Sequence, residues 1–468
     1  MDLSKLYPYD IETYPNLFSM VIGNMGTRKM RTFEISDRKD DRWQMIEYLR
    51  SIVKSGGSMV GFNNVGFDYP VIHFLLKNKR VTVAELYDKA QGIITSEDRF
   101  GHIIREKDVL IPQIDLYKIH HFDNKARMTS LKMLEFNMRM DNIEELPFKV
   151  GTMLTSDQID ILLDYNEHDL KATAMFLEES MTQLDFREGL TNSGNKNFMN
   201  FNDTKIGKDY FVTELEKNNE GCCYQRVGRQ RKMRQTKRDS INLGDCIFPY
   251  IKFDRPEFQA ILEWISSQTI TETKGVFTDV LESDLGDVAK YANMRKKRQK
   301  KNVKPSEAKI QEYLEKHPSG WLSEEPLKSG KVSYYWNWNV VDSLNVMVDD
   351  LEYVFGTGGL HASVESQVVE AKDGFVIVDQ DVASYYPNLA IKNRVFPEHL
   401  GEPFCDIYED MYNQRKQYNK KEYPTENLML KLALNGSYGA SNDQYSPLYD
   451  PMFTMKITIN GQLSSCML

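Results

Sequence analysis

The chain carries Tyr9-Asp10-Ile11-Glu12-Thr13 close to its N-terminus, and this stretch decides the fold of the region around it. Residues i and i+2 of a β-strand project from the same face, so a strand here places Asp10 and Glu12 side by side. Short β-type runs at 18–23 and 58–62 alternate with helical patterns at 43–54 and 69–77. The alternation predicts an α/β fold, with a mixed sheet flanked by helices.

Two further carboxylates fall where they can join this pair. Asp68 ends a loop-like segment directly before a predicted helix. A second helix, opened by a capping box at Thr155 and Gln158, carries Tyr165 and Asp169 four residues apart and therefore on one face. Four carboxylates and a phenol suit two-metal phosphodiester hydrolysis, because they offer oxygen ligands to two Mg²⁺ ions and a group that orients the attacking water. We expect Mn²⁺ to be tolerated in place of Mg²⁺.

In order and spacing, these motifs resemble the DEDD-type 3′→5′ exonuclease of B-family DNA polymerases, with DIE, N-x(2)-F-D and Y-x(3)-D as the three motifs. The resemblance implies a ribonuclease H-like exonuclease domain over 1–188. The metal ligands would be Asp10, Glu12, Asp68 and Asp169, and Tyr165 would position the water. By the same resemblance Thr13, Asn64 and Phe67 contact the single-stranded primer end. For Asn64 and Phe67 the alternative is a turn residue and a core aromatic.

A second set of motifs begins at an apolar run, Phe375 to Val378, which predicts a buried strand leading into Asp379-Gln380-Asp381. Two carboxylates at the tip of a buried strand indicate a cation. The stretch from Asp381 to Pro387 resembles motif A of the same family, D-x-x-S-L-Y-P. The resemblance implies that Asp381 and Val382 hold the polymerase metals, with Asp379 as the less favoured carboxylate. Tyr386 would stack under the sugar of the incoming nucleotide.

Two antiparallel helices are predicted at 404–419 and 425–438. The second contains Lys431 to Gly439, which resembles motif B, K-x(3)-N-x(2)-Y-G. Lys431, Asn435 and Tyr438 would then bind the dNTP, together with Arg415 on the preceding helix. Upstream, Gly356 to His361 resembles the Y-x-G-G element of the family, which implies DNA contacts at Gly358 and Gly359, although the aromatic Phe355 is one residue out of register.

The predicted organisation follows from these motifs. The exonuclease domain (1–188) precedes an unassigned region (189–354), the first part of the palm (355–398), two-helix fingers (399–445) and a palm helix (446–468). A segment rich in Asn, Gly, Ser and Thr, at 187–208, predicts a linker or long loop. Motif C and a thumb are missing after Tyr438. We therefore expect a second polypeptide to supply both, and the apolar last helix to be an interface edge.

The short interval between motifs A and B leaves no room for the insertion of protein-primed members, which favours priming from a nucleic-acid 3′ end. Primer-template DNA and dNTPs are the expected partners. The lack of a domain before Asp10 suggests a compact viral or mobile-element enzyme.

Composition limits the remaining classes of protein. The chain has 468 residues, of which 41% are hydrophobic and 27% charged, and no apolar run near the ~20 residues of a membrane span. We expect a multidomain, soluble protein of the cytoplasm, that of the host if the protein is viral. The five cysteines show no metal-finger spacing and are expected to be free thiols. The formal net charge is −9, yet basic tracts at 226–238 and 295–301 are either solvated loops or phosphate contacts.

Two other functions are alternatives to that of a polymerase subunit. The first is a stand-alone 3′→5′ exonuclease with a vestigial polymerase half, and the second is a non-catalytic DNA-binding assembly subunit. A vestigial half is disfavoured because the predicted triphosphate ligands are all kept in the registers of the family's motifs. They are Arg415, Lys431 and Tyr386. The set of four carboxylates argues against a non-catalytic subunit.

Overall fold

The chain divides into two units, Met1–Ile206 and Gly207–Leu468, each built from helices and β-sheets. The computed structural model describes residues 1–98, 100–124, 127–194, 196–301, 303–326, 332–341, 343–356, 358–364 and 366–468. The mixed α/β fold expected from the sequence is therefore confirmed. Among the described residues, none of the helices has both the length and the apolar content that crossing a membrane requires.

The first unit is organised around one five-stranded mixed sheet. Its strands are β1 (Leu6–Tyr14), β2 (Leu17–Gly23), β3 (Met30–Ser36), β4 (Ser58–Gly61) and β5 (Gln113–Asp115). Their order is β3-β2-β1-β4-β5. Strand β2 runs antiparallel to β1 and β3, whereas β1, β4 and β5 are parallel to one another. The sequence DIE thus lies on the central strand.

Helices cover this sheet. They are α1 (Arg42–Lys54), α2 (Asp68–Lys77), α3 (Val83–Ile94), α4 (Leu116–Ile119), α5 (Leu131–Asn137), α6 (Ser156–Glu179) and α7 (Met181–Ser193), followed by α8 (Asp203–Asn218), in which the boundary between the units falls. The longest, α6, packs against β1 and β2. It begins at the predicted capping box, in which Thr155 and Gln158 each accept from the other's backbone N–H.

The prediction of a linker at 187–208 is wrong at both ends, because α7 continues to Ser193 and α8 begins at Asp203. Arg187 explains how the polar segment stays ordered. Its buried guanidinium donates to the carbonyl of Phe201 at 2.7 Å and to Asp203 at 2.7 Å. Phe201 and Asp203 therefore lie against α7, and the first unit extends past residue 188.

The second unit contains several small antiparallel sheets. Their strands are β6 (Tyr224–Val227), β7 (Gln230–Met233), β8 (Ile241–Asn242), β9 (Thr269–Ile270), β10 (Val280–Leu281), β11 (Arg295–Lys301), β12 (Trp321–Pro326), β13 (Val332–Val341), β14 (Leu344–Val348), β15 (Leu351–Phe355) and β16 (His361–Ser363). Strand β13 is the centre of the largest sheet and pairs with β10, β11 and β12. Strands β14, β15 and β16 form a meander.

The helices of the second unit are α9 (Pro256–Ser267), α10 (Glu307–Lys316), α11 (Tyr385–Lys392), α12 (Pro403–Gln417), α13 (Pro424–Ala440) and α14 (Pro451–Cys466). The predicted antiparallel pair is formed by α12 and α13. Tyr408 donates to the carbonyl of Leu434 at 2.5 Å, and Asn427 donates to the carbonyl of Arg415 at 3.3 Å. Residue numbers of the contact partners increase along α12 while they decrease along α13, so the two helices are antiparallel.

Helix α14 is the apolar last helix, for which an interface edge was expected. Its apolar side chains, Phe453, Ile457 and Ile459 among them, are buried in the core of the second unit. The buried amide of Asn460 fastens the helix, since it donates to the carbonyl of Cys246 at 2.7 Å and accepts from the N–H of Phe248 at 2.7 Å. The helix is an internal element of this unit.

The predicted buried strand before Asp381 is also wrong. Phe375 is 79% exposed and Ile377 65% exposed, and the run has no strand pairing. A strand needs a neighbour to satisfy its N–H and C=O groups, and no strand in the described part of the chain lies beside this run. The apolar run therefore lies in water.

The basic tracts and the cysteines take ordinary positions. The first tract forms the hairpin of β6 and β7, and the second is strand β11 rather than a solvated loop. Acidic residues balance part of the second tract, since Lys297 pairs with Asp279 at 2.5 Å and Arg298 with Glu325 at 2.7 Å. All five cysteines are free thiols, as predicted.

Candidate active site

Three of the four predicted carboxylates converge in the first unit. Strand β1 presents Asp10 and Glu12 on one face, and α6 packs against that strand and brings Asp169 to them. One oxygen of each carboxylate lies within 4.8 Å of the others, close enough for the three to share a cation. This arrangement joins the first and third sequence motifs.

The fourth carboxylate, Asp68, is the first residue of α2 and is buried. After burial, the charge of Asp68 contributes most to the raised pKa of Asp10, so Asp68 lies close to that carboxylate. The loop before Asp68 is held by Asp115, whose carboxylate accepts from the N–H groups of Asn63 at 3.0 Å and Val65 at 3.2 Å. Sequence reasoning missed this anchoring role, which depends on the pairing of β4 with β5.

The site carries strong mutual repulsion. Burial, reinforced by Asp68 and Asp169, raises the pKa of Asp10 well above its usual range. Burial and Asp169 raise the pKa of Glu12 to about 8. Burial also raises the pKa of Asp68 to about 7 and that of Asp169 to about 6. A bound cation stabilises the ionised form of such carboxylates, because it offsets their mutual repulsion.

Tyr165 lies one turn before Asp169 on α6, and burial together with the nearby Asp169 carboxylate raises the pKa of the phenol. A residue absent from the predictions joins them: Lys132 of α5 donates to the Tyr165 hydroxyl at 3.2 Å, and its ammonium lies 5.1 Å from the centre of the ring. Its charge lowers the pKa of Glu12 and of Asp169. The phenol is therefore held between an acid and a cation.

A second missed residue is Asn166, which orients Asp10. The buried amide of Asn166 donates to Oδ2 of Asp10 at 2.6 Å and accepts from the Ser19 hydroxyl at 3.2 Å. These two hydrogen bonds, from Ser19 to Asn166 and from Asn166 to Asp10, link β2, α6 and β1. The only sequence signal for it is that Asn166 follows the predicted Tyr165.

The three predicted DNA contacts lie near the carboxylates but differ in exposure. Thr13 follows Glu12 on β1 and is half-buried. Asn64 is wholly buried and donates to Gln113 at 2.9 Å, which favours the alternative of a structural turn residue over a DNA contact. Phe67 is partly buried against the core beside α2, which favours the core aromatic.

The donor set of this first site fits a hard divalent cation. Its ligand atoms are carboxylate oxygens, and Oδ1 of Asp169 is buried without a hydrogen-bond partner. An orphaned buried carboxylate oxygen next to other carboxylates is satisfied by a metal ion such as Mg²⁺.

In the second unit, the segment predicted as motif A contacts the helices α12 and α13. Nη1 of Arg415 on α12 donates to the Ser384 hydroxyl at 3.3 Å. The rings of Tyr386 and Tyr438 lie 4.6 Å apart, and the Tyr438 hydroxyl bonds that of Thr458 at 2.5 Å. Lys431 and Asn435 are exposed on α13.

Helix α14 supports this region in two places that sequence reasoning did not identify. Gln462 donates to the carbonyl groups of Gly356 at 2.6 Å and Gly358 at 2.8 Å. At Gly461, a Cβ atom would lie 3.1 Å from the ring of Tyr386, so a larger residue there would press on the ring. Gly359 also lies beside Tyr386, since a Cβ atom there would be 3.6 Å from its hydroxyl. Thr357 lies outside the described residues.

Asp381 is not brought into a metal cluster. Asp379, Asp381 and Val382 are exposed, and no potential metal-holding group in the described part of the chain includes either carboxylate. The buried strand was expected to hold them, and that strand is absent here. Among the described residues of the second unit, the predicted polymerase carboxylates are therefore not assembled into a pair of metal ligands.

In the comparisons with known proteins, no family model matches the chain and no curated protein matches it.

Proposed function

We propose that the first unit is a Mg²⁺-dependent 3′→5′ DNA exonuclease, and that the whole chain is a B-family DNA-directed DNA polymerase subunit that uses it for proofreading. The observation that carries this proposal is the convergence of Asp10, Glu12 and Asp169 within 4.8 Å. Such a cluster on a central strand and a packed helix, next to a tyrosine, suits hydrolysis of a phosphodiester.

The topology of the first unit supports the proposal. The sheet order β3-β2-β1-β4-β5, with β2 alone antiparallel to the others, is the order expected of a ribonuclease H-like fold. Two of the proposed metal ligands, Asp10 and Glu12, lie on the first strand of this sheet, β1, and Asp169 reaches them from α6. The resemblance of the motifs and the order of the strands are independent of each other.

The residues that would hold two Mg²⁺ ions are Asp10, Glu12, Asp68 and Asp169. Bound at these carboxylates, the ions would activate the attacking water and offset the charge of the scissile phosphate. Asn166 keeps the Asp10 carboxylate in one orientation through the 2.6 Å hydrogen bond. Asp115 holds the loop that presents Asp68.

Tyr165 orients the water rather than taking its proton. Burial and the neighbouring Asp169 raise the pKa of Tyr165 above its usual range, so the phenol stays protonated at neutral pH. With Lys132 donating to its oxygen, the hydroxyl can direct its own hydrogen toward a carboxylate or a water molecule. Lys132 also places a positive charge where a phosphate would approach.

Two contacts and two exposed side chains in the second unit support nucleotide binding there. Arg415 reaches motif A through Ser384, and Tyr386 packs against Tyr438 of motif B. The exposed Lys431 would meet the triphosphate of a dNTP, and Asn435 would lie beside it. These positions favour a polymerase subunit over a stand-alone exonuclease with a vestigial second half.

Polymerisation, in this proposal, needs a second polypeptide that carries another palm carboxylate and a thumb. The exposed, unpaired run that ends at Asp381 supports this, since a neighbouring strand would both pair with it and bring a second metal ligand. Primer-template DNA is the common substrate of both activities.

The first test is degradation of 3′-labelled single-stranded DNA in Mg²⁺. The full chain should shorten the strand from its 3′ end, and Asp10→Ala with Glu12→Ala should abolish this. Asp164→Ala is a matched control, because Asp164 is an exposed carboxylate on the same helix as Asp169. A wild-type chain that leaves the DNA intact would favour a non-catalytic DNA-binding assembly subunit.

The second test is primer extension with dNTPs, by the chain alone and with a polypeptide that carries motif C, which is a D-T-D hairpin in this family. Extension that requires both chains and is lost in Asp381→Ala would support the polymerase. If both mixtures only shorten the primer, the chain is a stand-alone exonuclease.

A further inference from the structure

A second group of potential metal ligands includes Asp169 together with two residues that the proposed mechanism does not use. Glu135 of α5 and His168 of α6 each place a ligand atom within 4.8 Å of one another and of Asp169. Helices α5 and α6 pack together, which brings Glu135 and His168 face to face. Both side chains lie inside the first unit, with Glu135 0% exposed and His168 12% exposed.

The Glu135 carboxylate is only half satisfied. Its Oε2 lies 3.3 Å from Nε2 of His168, whereas Oε1 is buried and makes no hydrogen bond to any described residue. Oδ1 of Asp169 is also buried and unpaired. Leaving two carboxylate oxygens without partners in the interior is costly unless a cation joins them.

His168 has the surroundings of a metal-binding imidazole. Its Nδ1 faces Oε1 of Glu144 at 3.7 Å, and its Nε2 faces Glu135. Metal-bound histidines commonly direct their second nitrogen at a carboxylate, which keeps the lone pair of the first on the metal. The 3.3 Å between Nε2 and Oε2 matches two ligand atoms that are each ~2.1 Å from one ion.

We propose that Glu135, His168 and Asp169 form a binding site for a divalent transition-metal ion, next to the Mg²⁺ carboxylates and sharing Asp169 with them. The imidazole makes the site selective, because nitrogen ligands suit Zn²⁺ and similar transition-metal ions such as Co²⁺, whereas Mg²⁺, Ca²⁺ and Mn²⁺ prefer oxygen. An ion here would fix the Asp169 carboxylate. The alternative is a metal-free ion pair of His168 with Glu135 and Glu144.

The test uses Co²⁺ and the full-length chain with Asp10→Ala and Glu12→Ala, which removes two ligands of the Mg²⁺ site and leaves the proposed site intact. One equivalent of Co²⁺ should bind in excess Mg²⁺, measured by titration calorimetry, and give the visible absorption bands of a nitrogen-ligated ion. Because the readout is binding to an inactivated variant, a failure of the exonuclease proposal would not affect it.

Two substitutions in that background probe the ligands. Glu135→Gln and His168→Asn should each weaken Co²⁺ binding by about 10- to 100-fold. His361→Asn is the matched control, since it removes an exposed imidazole from the second unit and should change nothing. Circular dichroism shows which variants fold, and the near-isosteric Glu135→Gln remains informative if His168→Asn does not.

Three outcomes would overturn the proposal: Co²⁺ fails to bind, excess Mg²⁺ displaces it fully, or the folded variants bind it as tightly as their parent. Each of these would leave the metal-free ion pair as the explanation of the cluster.

Discussion

The side-chain amide of Asn166 donates to Oδ2 of Asp10 at 2.6 Å, and this bond joins helix α6 to the central strand of the first unit. A carboxylate that is to hold a metal ion must keep one orientation, and Asn166 is the residue that restrains Asp10. Its own carbonyl oxygen is in turn fixed by Ser19.

Replacing Asn166 by Ala should therefore weaken Mg²⁺ binding and slow the nuclease by about 10- to 100-fold, as is usual for residues that orient a metal ligand. Mg²⁺ titrations of the nuclease rate measure the change. Asn16→Ala is the control, since Asn16 makes two hydrogen bonds to the backbone of Leu154 and should lower stability without changing Mg²⁺ dependence. Equal Mg²⁺ affinity in wild type and Asn166→Ala would contradict the assignment.

Glu12 makes the stability of the metal-free protein depend on pH. Burial and Asp169 raise its pKa from 4.5 to about 8, so folding favours the protonated form. The stability that this group contributes is fully present below pH 4.5 and is lost as the pH rises through about 8. Asp68, with a pKa of about 7, acts in the same direction.

Glu12→Gln should raise the melting temperature of the EDTA-treated protein at pH 9 by a few degrees and have a smaller effect at pH 5. Thermal unfolding followed by circular dichroism measures both. Mg²⁺ should stabilise the wild type more at pH 9 than at pH 5, because the ion neutralises ionised carboxylates. A stabilisation by Mg²⁺ that is equal at the two pH values would count against shared metal ligation.

Lys132→Met should slow the nuclease by about 10- to 100-fold, the loss expected for one charged hydrogen bond at a reacting centre. The ammonium donates to Tyr165 and lowers the pKa of Glu12 and Asp169, so its removal should also move the rise of activity with pH to higher pH. A pH profile of the rate measures both effects. Lys149→Met makes the same change at an exposed site and should leave the profile in place.

Arg415→Ala tests the second unit. In primer extension with both polypeptides, the substitution should raise the KM for dNTP by about 10- to 100-fold, because one charged contact to the triphosphate is lost. Lys416→Ala is the control on the same helix. The Nζ atom of Lys416 lies 4.0 Å from the centre of the Tyr412 ring, so this lysine contacts an aromatic ring rather than Ser384. An unchanged KM would remove Arg415 from the triphosphate site and leave its bond to Ser384 as a packing contact.

Asn460→Leu should destabilise the second unit by about 2–3 kcal/mol. The substitution removes two buried hydrogen bonds and leaves the carbonyl of Cys246 and the N–H of Phe248 without partners. Denaturant unfolding measures the change. Asn413→Ala, at an exposed position of α12, should fall within about 0.5 kcal/mol of the wild type. A similar cost for both variants would show that Asn460 does not fasten α14.

The features that local pattern controls could be predicted from the sequence. Alternation along β1 identified the Asp10 and Glu12 pair, and helical spacing placed Tyr165 and Asp169 on one face of α6. Capping residues located the start of that helix. Each of these depends on residues close to one another along the chain.

The features that were missed depend on contacts between distant elements. Lys132 and Asn166 gain their roles only when α5, α6 and β1 pack together, and nothing in their own segments marks them. Arg187 keeps ordered a segment whose composition resembles a linker. The run before Asp381 has the composition of a buried strand, but burial requires a neighbouring strand, and the described residues contain none for it.

The apolar run from Phe375 to Val378 sets a condition for handling this protein. Its unpaired backbone and exposed apolar side chains can template the pairing of one molecule with another, as an open sheet edge does. Concentrated samples of the isolated chain should therefore scatter more light with time. In a cell, the same run should make the isolated chain a target for self-association and for proteases.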